Sequence, residues 1–384
     1  MRIGAYIQVP FCQSKCTYCN FHTGVVSRER YQPYVNAVCK EIAATAREYP
    51  QAVIDTVYVG GGTPSLLEPA ALAKILETLR ASFRTDLAEV TLEADPETIS
   101  PVKAQAWRAA GFDRISLGAQ SFHDRELKAA GRMHRREDIF RAVDVLREAE
   151  LRNISMDLIA GLAHQTSESW EESVSQLLRV YPEHVSIYML ELDERSRLGK
   201  EALAGGKRYS AGAIPDDDTI ADCYESAVKR LADAGYEHYE ISNWALPARR
   251  SLHNLKYWRR EPYLGFGAGA HSFEGSSRWA NIHDPARYVV CIEQGSSTRE
   301  QADIVMPWQA LAEEFFLGLR QIEGVDLARI ERDYDAAVHD RLEVLRGRID
   351  ILLSHKFVEK DGSRLRIAPD KLTVSNEVFV ELLG

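Results

Sequence analysis

Cysteine is scarce in this chain, with six among 384 residues. Half of them, Cys12, Cys16 and Cys19, are crowded into the single stretch PFCQSKCTYCNF. An odd, crowded set is not a closed disulfide framework. A basic excess is also lacking: 47 Lys and Arg stand against 57 Asp and Glu, for a formal net charge of -10. That balance excludes broad, sequence-independent nucleic-acid binding. No apolar run reaches the ~18–20 residues of a membrane span. The opening residues, MRIGAYIQVP, are too short and too interrupted for the apolar core of a signal peptide. The expectation is therefore a cytoplasmic protein in a reducing compartment, where clustered cysteines bind metal more often than they pair. Repeats and low-complexity tracts are missing too. Cys39, Cys223 and Cys291 are scattered through helical patterns and read as small buried hydrophobes.

What is present is ordinary globular composition, 45% apolar and 27% charged, in enough chain for two or three domains or for one large α/β barrel with an appendage. Short β-type runs at Ala5–Val9, Thr56–Gly60, Glu89–Ala94, Arg114–Gly118, Ile154–Ile159 and Val185–Met189 alternate with amphipathic stretches. Those stretches are Arg30–Arg47, Pro69–Phe83, Pro101–Ala110, Arg136–Ala149 and Glu168–Val180. Pro69 and Pro101 suit helix first turns, and Ser100 suits the cap before Pro101. Repeated βα units imply a parallel sheet with right-handed crossovers. With no Rossmann glycine fingerprint after the first strand, six units predict an α/β fold built on a partial (β/α)6 barrel.

A loop at Gly205–Asp218 and a helix to about Gly235 follow. Glu237–Phe273 is rich in aromatics, His and Gly and has no clean period. From about Pro307, helices at Trp308–Leu319, Leu327–Tyr334 and Ala337–Ser354 precede two strands, Phe357–Asp361 and Arg364–Ile367, with Gly362 at the turn. That order suggests a small C-terminal α+β module of winged-helix type. The expected domains are 1–235, 236–304 and 305–384.

In a βα barrel the working residues sit at the C-terminal ends of the strands. The first strand ends in the cysteine loop. The second ends in Gly60-Gly61-Gly62-Thr63-Pro64, the third in Glu93-Ala94-Asp95-Pro96, and the fourth runs into Gly118-Ala119-Gln120. The fifth contains Asp157 and the sixth ends in Tyr188-Met189-Leu190-Glu191. All the glycine- or acid-rich oddities fall on one rim. Three closely spaced thiolates select soft metals. Two readings stay open: a structural zinc with His22 as fourth ligand, or an iron–sulfur cubane with one iron left for an exogenous ligand.

CxxxCxxC after a first strand, with Tyr18 just before the last Cys, resembles the signature of radical S-adenosylmethionine (SAM) enzymes. The resemblance implies a [4Fe–4S] cluster held by Cys12, Cys16 and Cys19. Its open iron would be chelated by the methionine part of SAM, which an electron from the cluster cleaves to a 5′-deoxyadenosyl radical. The strings AYIQVPFCQSKCTYCNF, VYVGGGTPSLL, TLEADPETI, ISLGAQSF and MDLIAGL resemble one branch closely. It contains the oxygen-independent coproporphyrinogen III dehydrogenases (HemN) and the HemW haem chaperones. Carried over by motif, Tyr6, Tyr18, Gly61, Gly62, Thr63, Glu93, Gln120, Arg132 and Asp157 would contact SAM. In the dehydrogenases the positions matching Gln120, Arg132 and Asp157 serve a second SAM, so the number of SAM molecules here stays open.

Phe21 stands where the dehydrogenases have a further cysteine, and only eleven residues precede Cys12; both features resemble the HemW type. His253-Asn254-Leu255-Lys256-Tyr257-Trp258 matches the HNxxYW motif that is associated with haem binding in that type. Ile241–Arg260 has no acidic residue and carries Arg249, Arg250, Lys256, Arg259 and Arg260, which could pair with propionates. A histidine can be an axial haem ligand, so His253 is the expected one. His271, in GFGAGAHSF, reads as a packed residue. The resemblance thus implies a haem chaperone whose partners are SAM, haem and acceptor haemoproteins, with peripheral membrane contact through the acceptors and a homodimer left open. Oxidative decarboxylation of coproporphyrinogen III is the rival expectation.

Overall fold

The computed structural model describes residues 1–383, without the side chains of Gln301, Asp335 and Ala337; Gly384, the end of the expected C-terminal module, lies outside the described residues. Six strands form its centre: β1 (Arg2–Val9), β2 (Val53–Gly61), β3 (Arg84–Ala94), β4 (Arg114–Gln120), β5 (Asn153–Ala160) and β6 (His184–Met189). They pair in chain order and all in parallel. Helices α1 (Tyr31–Glu48), α2 (Pro69–Ser82), α3 (Pro101–Ala110), α4 (Asp124–Ala130), α5 (Arg136–Glu148) and α6 (Ser167–Val180) make the crossovers. Local chemistry sets their limits. Ahead of α3, the Ser100 hydroxyl accepts from Lys103 N, Pro101 fills the first turn, and Gly111 at φ 98° stops the helix. On α5, Ile139, Ala142, Val143 and Leu146 make the buried stripe that packs on the sheet. Strand alternation divides the two faces of the sheet. Ile3, Ala5, Ile7 and Val9 are at most 1% exposed and pack into the main core, while Tyr6 turns the other way, onto Tyr58 and His253.

The stretch without clean periodicity proves to be short strands that extend this sheet on both sides. After α7 (Arg197–Leu203) and α8 (Asp217–Asp233) come β7 (Glu237–Glu240) and β8 (Asn243–Ala245), with β8 antiparallel to β6. Next come α9 (Leu252–Trp258) and β9 (Tyr263–Phe266), which lies parallel to β1 on its free side. Antiparallel β10 (His271–Glu274) and β11 (Ser277–Asn281), then α10 (Pro285–Glu293) and β12 (Arg299–Ile304), complete it. The strand order is β12-β11-β10-β9-β1-β2-β3-β4-β5-β6-β8-β7.

The C-terminal part has α11 (Pro307–Gly318), β13 (Val325–Asp326), α12 (Leu327–Ser354), β14 (Val358–Asp361), β15 (Arg364–Ile367) and α13 (Ser375–Leu383). Its three strands form an antiparallel sheet in the order β13-β15-β14. The two helices expected before the hairpin follow each other along α12 and are separated by a kink at Val338, whose dihedrals are not helical (φ -146°, ψ 39°). His271, at the start of β10, is exposed, which corrects the expectation that it is packed. Cys39 and Cys223 are buried as expected, whereas Cys291 is only partly so. No helix of the described residues is long and apolar enough to cross a membrane.

Candidate cofactor site at the rim of the sheet

The cysteine loop leaves the C-terminal end of β1 and is tied down by backbone bonds on several sides. Cys12 N donates to Gly24 O at 3.0 Å and Gly24 N to Pro10 O at 2.9 Å, so the loop returns on itself. Thr17 N donates to Ala130 O at the end of α4, and Leu198 N of α7 donates to Thr17 O. All three thiols are free. Burial pushes the thiols of Cys12 and Cys19 above their ordinary value. Metal binding there would have to release protons.

The turn after β2 seats the loop. Gly62 N donates to Val9 O and Thr63 N to Phe11 O, at 2.8 and 2.7 Å. A Cβ on Gly62 would come within 2.5 Å of Phe11 O and 3.0 Å of Cys12 Sγ. Glycine is therefore required where the backbone passes under the first cysteine.

A network of charge lies behind the loop. Arg132 Nη1 donates to Cys16 Sγ at 3.5 Å, and its Nη2 donates to Gly118 O at 2.9 Å and to Asp95 Oδ1. Asp95 Oδ2 accepts from Thr63 Oγ1 at 3.0 Å. One carboxylate and one guanidinium thus join β2, β3, β4 and the loop. Gln120 is buried, and a Cβ on Gly118 would lie 2.9 Å from its Nε2 and 3.0 Å from Arg132 Nη2. The expected Thr63, Gln120 and Arg132 are therefore gathered behind the cysteines.

Glu93 accepts from Gly61 N and from Tyr58 OH, each at 2.9 Å. Desolvation raises its pKa to about 7, against the lowering effect of the Gly61 and Tyr58 bonds. Asp157 on β5 is raised to about 6, again first by desolvation. Its Oδ1 is buried and has no partner. Tyr18, like Leu190, packs against the cluster of Ala130, Ile159 and Leu162.

Tyr6 and His253 sit deeper. Tyr6 OH donates to Gln8 Oε1 at 2.8 Å, and its ring lies 6.0 Å from that of Tyr58. His253, 0% exposed, is on α9, which packs against β2 and β3 and meets them at Thr56 and Glu89. Its Nδ1 is 2.9 Å from Thr56 Oγ1 and its Nε2 2.9 Å from Tyr257 OH. Glu89 accepts from the backbone N–H groups of Leu252 and His253 and so holds the start of α9. The basic stretch expected to meet propionates is largely paired within the protein. Lys256 bonds to Asp55 and Glu261, Arg260 to Glu313 and Arg250 to Glu237. Trp258 lies under Arg320, 4.7 Å from ring centre to guanidinium.

The residues fit the expected cofactors on two observations. Three thiols share one loop, the first of them beside a glycine where a Cβ would meet Phe11 O and Cys12 Sγ. A half-buried Asp157 also carries an unpaired acceptor, which a ligand hydroxyl can satisfy. Among the described residues, no three His, Cys, Asp or Glu side chains converge as a single metal ion requires; a cubane spreads its ligands more widely than one zinc does. Asp95 and Tyr58 were not among the expected contacts. An acid two residues after Glu93, at the same strand end, was the available signal for Asp95.

A family model described as the Radical SAM superfamily matches residues 6–177. "Heme chaperone HemW" of Bacillus subtilis is 32% identical, the match covering 99% of each chain. "Heme chaperone HemW" of Synechocystis is 36% identical over 86% of this chain and 81% of its own. Among solved structures, the coproporphyrinogen III oxidase HemN of Escherichia coli superposes with a TM-score of 0.85 at 21% identity, covering 99% of this chain and 89% of its own; that likeness establishes the fold. An α/β sheet of radical SAM type, with its thiol loop at the strand ends and about one-third identity to these chaperones over most of its length, places the chain in the HemW family of the radical SAM superfamily.

Proposed function

We propose that this chain is a cytoplasmic haem chaperone, which binds haem and passes it to acceptor haemoproteins. The observation that carries this is end-to-end similarity, at 32% identity, to a protein named for that role. Superfamily membership implies a [4Fe–4S] cluster and SAM. Cys12, Cys16 and Cys19 would hold the cluster. Gly61, Gly62, Thr63 and Glu93 would receive the methionine end of SAM, while Tyr18, Gln120, Arg132 and Asp157 would line its remainder. When bound, this pair supplies one-electron cleavage of a sulfonium. The protein's own part is to position and to shield. Arg132 neutralises Asp95 beside the thiolates, and Glu93, with a pKa of about 7, offers charge to a cationic ligand near neutral pH. Membrane contact would be peripheral, through the acceptors, and a homodimer remains part of the proposal.

His253 is the expected haem ligand. In the fold described, both of its ring nitrogens are engaged, so reaching iron would require α9 to leave the base of the sheet. Tyr6, next to it, would act through Tyr58 rather than at the rim.

Haemin titrated into anaerobically reconstituted protein should give a saturable Soret shift. Coproporphyrinogen III supplied with SAM and a reductant should yield no protoporphyrinogen. Absence of the shift, or formation of that product, would overturn the reading in favour of the dehydrogenase.

A further inference from the structure

One face of the six-strand sheet is polar across its width. Strand register sets Tyr6, Tyr58, Thr91, Arg114 and Asn153 in one row from β1 to β5. Glu93, Ser116, Ser155 and His184 make the next row toward the rim. Their chain neighbours Ile7, Val57, Leu92, Ile115 and Ile154 turn to the main core on the other side. Water reaches the polar face. Tyr6, Tyr58, Glu93 and Asp157 are half-buried, and Tyr188, which alternates with His184 on β6, is 44% exposed.

Arg114 is the exception in the first row. It is 2% exposed, and its Nε is buried without a partner. Among the described residues its guanidinium makes no hydrogen bond and no ion pair. Other cations around the site are spent: Arg132 on Asp95, Lys256 on Asp55 and Arg260 on Glu313. The acids near Arg114 are committed elsewhere. Glu89 holds the start of α9, Glu93 takes Gly61 N and Tyr58 OH, and Asp113 takes Val90 N. After burial itself, the Arg114 charge acts on His184 and His253, which puts it on the polar side of the sheet. Its register neighbours Thr91 and Asn153 each have a buried side-chain oxygen with no partner. An ionised group taken out of water without a counter-charge is costly. Water can bond a guanidinium but cannot neutralise it; an anion does both. The planar fork suits a carboxylate or a phosphate. Glu93 and Asp157 share this face, so a dianionic phosphate meets more repulsion than a carboxylate.

We propose that Arg114 is a carboxylate receptor: a ligand entering past the cofactor rim seats one carboxylate on its guanidinium, with the Thr91 hydroxyl as a second donor. Two sources have this chemistry, a free monocarboxylic acid and a propionate arm of a tetrapyrrole cargo. The receptor stands without the haem-chaperone reading; the second source rests on it.

The test uses the full, reconstituted chain as wild type, Arg114→Met, Arg114→Gln and Arg114→Lys. Arg141→Gln, at a 59% exposed side chain on α5, is the control. Iron content and far-UV circular dichroism report folding. Thermal melting is followed in sodium propionate, in sodium chloride of equal ionic strength and in neutral propionamide. Propionate should raise the melting temperature of wild type and of the control, and leave Arg114→Met and Arg114→Gln unmoved. Arg114→Lys should keep part of the response, since it retains charge without the fork. Propionamide should raise none. In ligand-free urea unfolding, Arg114→Met should be at least as stable as wild type, because an unpaired buried charge has been removed. An equal propionate response in every protein, or destabilised Met and Gln variants, would mean a charge satisfied within the fold and would overturn the receptor. Haemin against haemin dimethyl ester then separates the sources. A preference for haemin of about tenfold in wild type, lost in Arg114→Met, assigns the propionate arm. No preference, or one that Arg114→Met retains, assigns the free acid and leaves the chaperone reading intact. If wild type binds neither haem compound while its propionate response holds, the chaperone reading falls and the receptor stands.

Discussion

Asp95 and Arg132 form an ion pair behind the cysteine loop, and the same guanidinium reaches Cys16 Sγ at 3.5 Å. The Arg132 side chain is 9% exposed and that of Asp95 22%. Removing one partner of such a pair leaves a nearly dry charge uncompensated. Arg132→Ala should cost about 3 kcal/mol, the low end for a buried pair because Asp95 keeps some water. Arg132→Lys should recover only part, since one ammonium cannot serve Asp95, Gly118 O and Cys16 in a fixed fork. Urea unfolding of the reduced protein, as a double-mutant cycle with Asp95→Asn, measures it; additive losses would show that the pair is not coupled.

Gly62→Ala should impair the cysteine loop specifically. The added methyl would meet Phe11 O at 2.5 Å, and that oxygen already accepts from Thr63 N, so neither backbone can yield cheaply. The expected cost is about 1–3 kcal/mol, with reduced iron and sulfide content after anaerobic reconstitution. Full cluster content would show that the turn tolerates a side chain.

SAM affinity should rise with pH through about 7. Glu93 holds its proton up to a pKa of about 7 because it is desolvated, and only its ionised form attracts a cationic ligand. The linkage to folding has the opposite sign. The unfolded carboxyl ionises near 4.5, so Glu93 contributes stability below that pH and loses it as pH rises to about 7. Equilibrium SAM binding across pH 5.5 to 8.5 tests the first and urea unfolding over pH 4 to 8 the second, each on wild type and Glu93→Gln, and the variant should be flat for this step.

His253 predicts a loss of stability in acid. Burial, followed by the charges of Lys256 and Arg114, lowers its pKa to about 3 from 6.5. The unfolded chain takes up this proton first as pH falls below 6.5. Stability is thus full above 6.5 and is lost toward pH 3, with a slope of up to about 1.4 kcal/mol per pH unit. His253→Gln should show a shallower acid limb. It should also be less stable at pH 8, since Thr56 and Tyr257 lose their shared partner. An unchanged acid limb would mean the ring is hydrated.

The central six strands were legible because βα alternation writes itself locally: Pro101 and Ser100 start α3, and the apolar runs name β1 to β6. The rim motifs were legible for the same reason, each lying at a strand end. Less could be read between residues 237 and 304, where β7 to β11 have only three to five residues. Segments that short carry too little pattern to register against their turns. The rings of His22 and His283 lie 4.5 Å apart, across more than 250 residues of chain that no local window contains. The basic stretch around Lys256 misled because its acidic partners, Asp55, Glu237 and Glu313, are remote in sequence or outside the window.

Tyr58 ties the base of the sheet to its mouth: its ring stacks on His253 at 5.4 Å, and its hydroxyl bonds Glu93. Helix α9 therefore works as a stopper. While it stays seated, His253 backs the tyrosine that bonds the acid, whose reluctance to ionise is chiefly a matter of desolvation. Unseating it would withdraw that backing, admit water and return the carboxyl toward ordinary acidity, so the condition of the stopper can be read at the far end of the sheet as a titration.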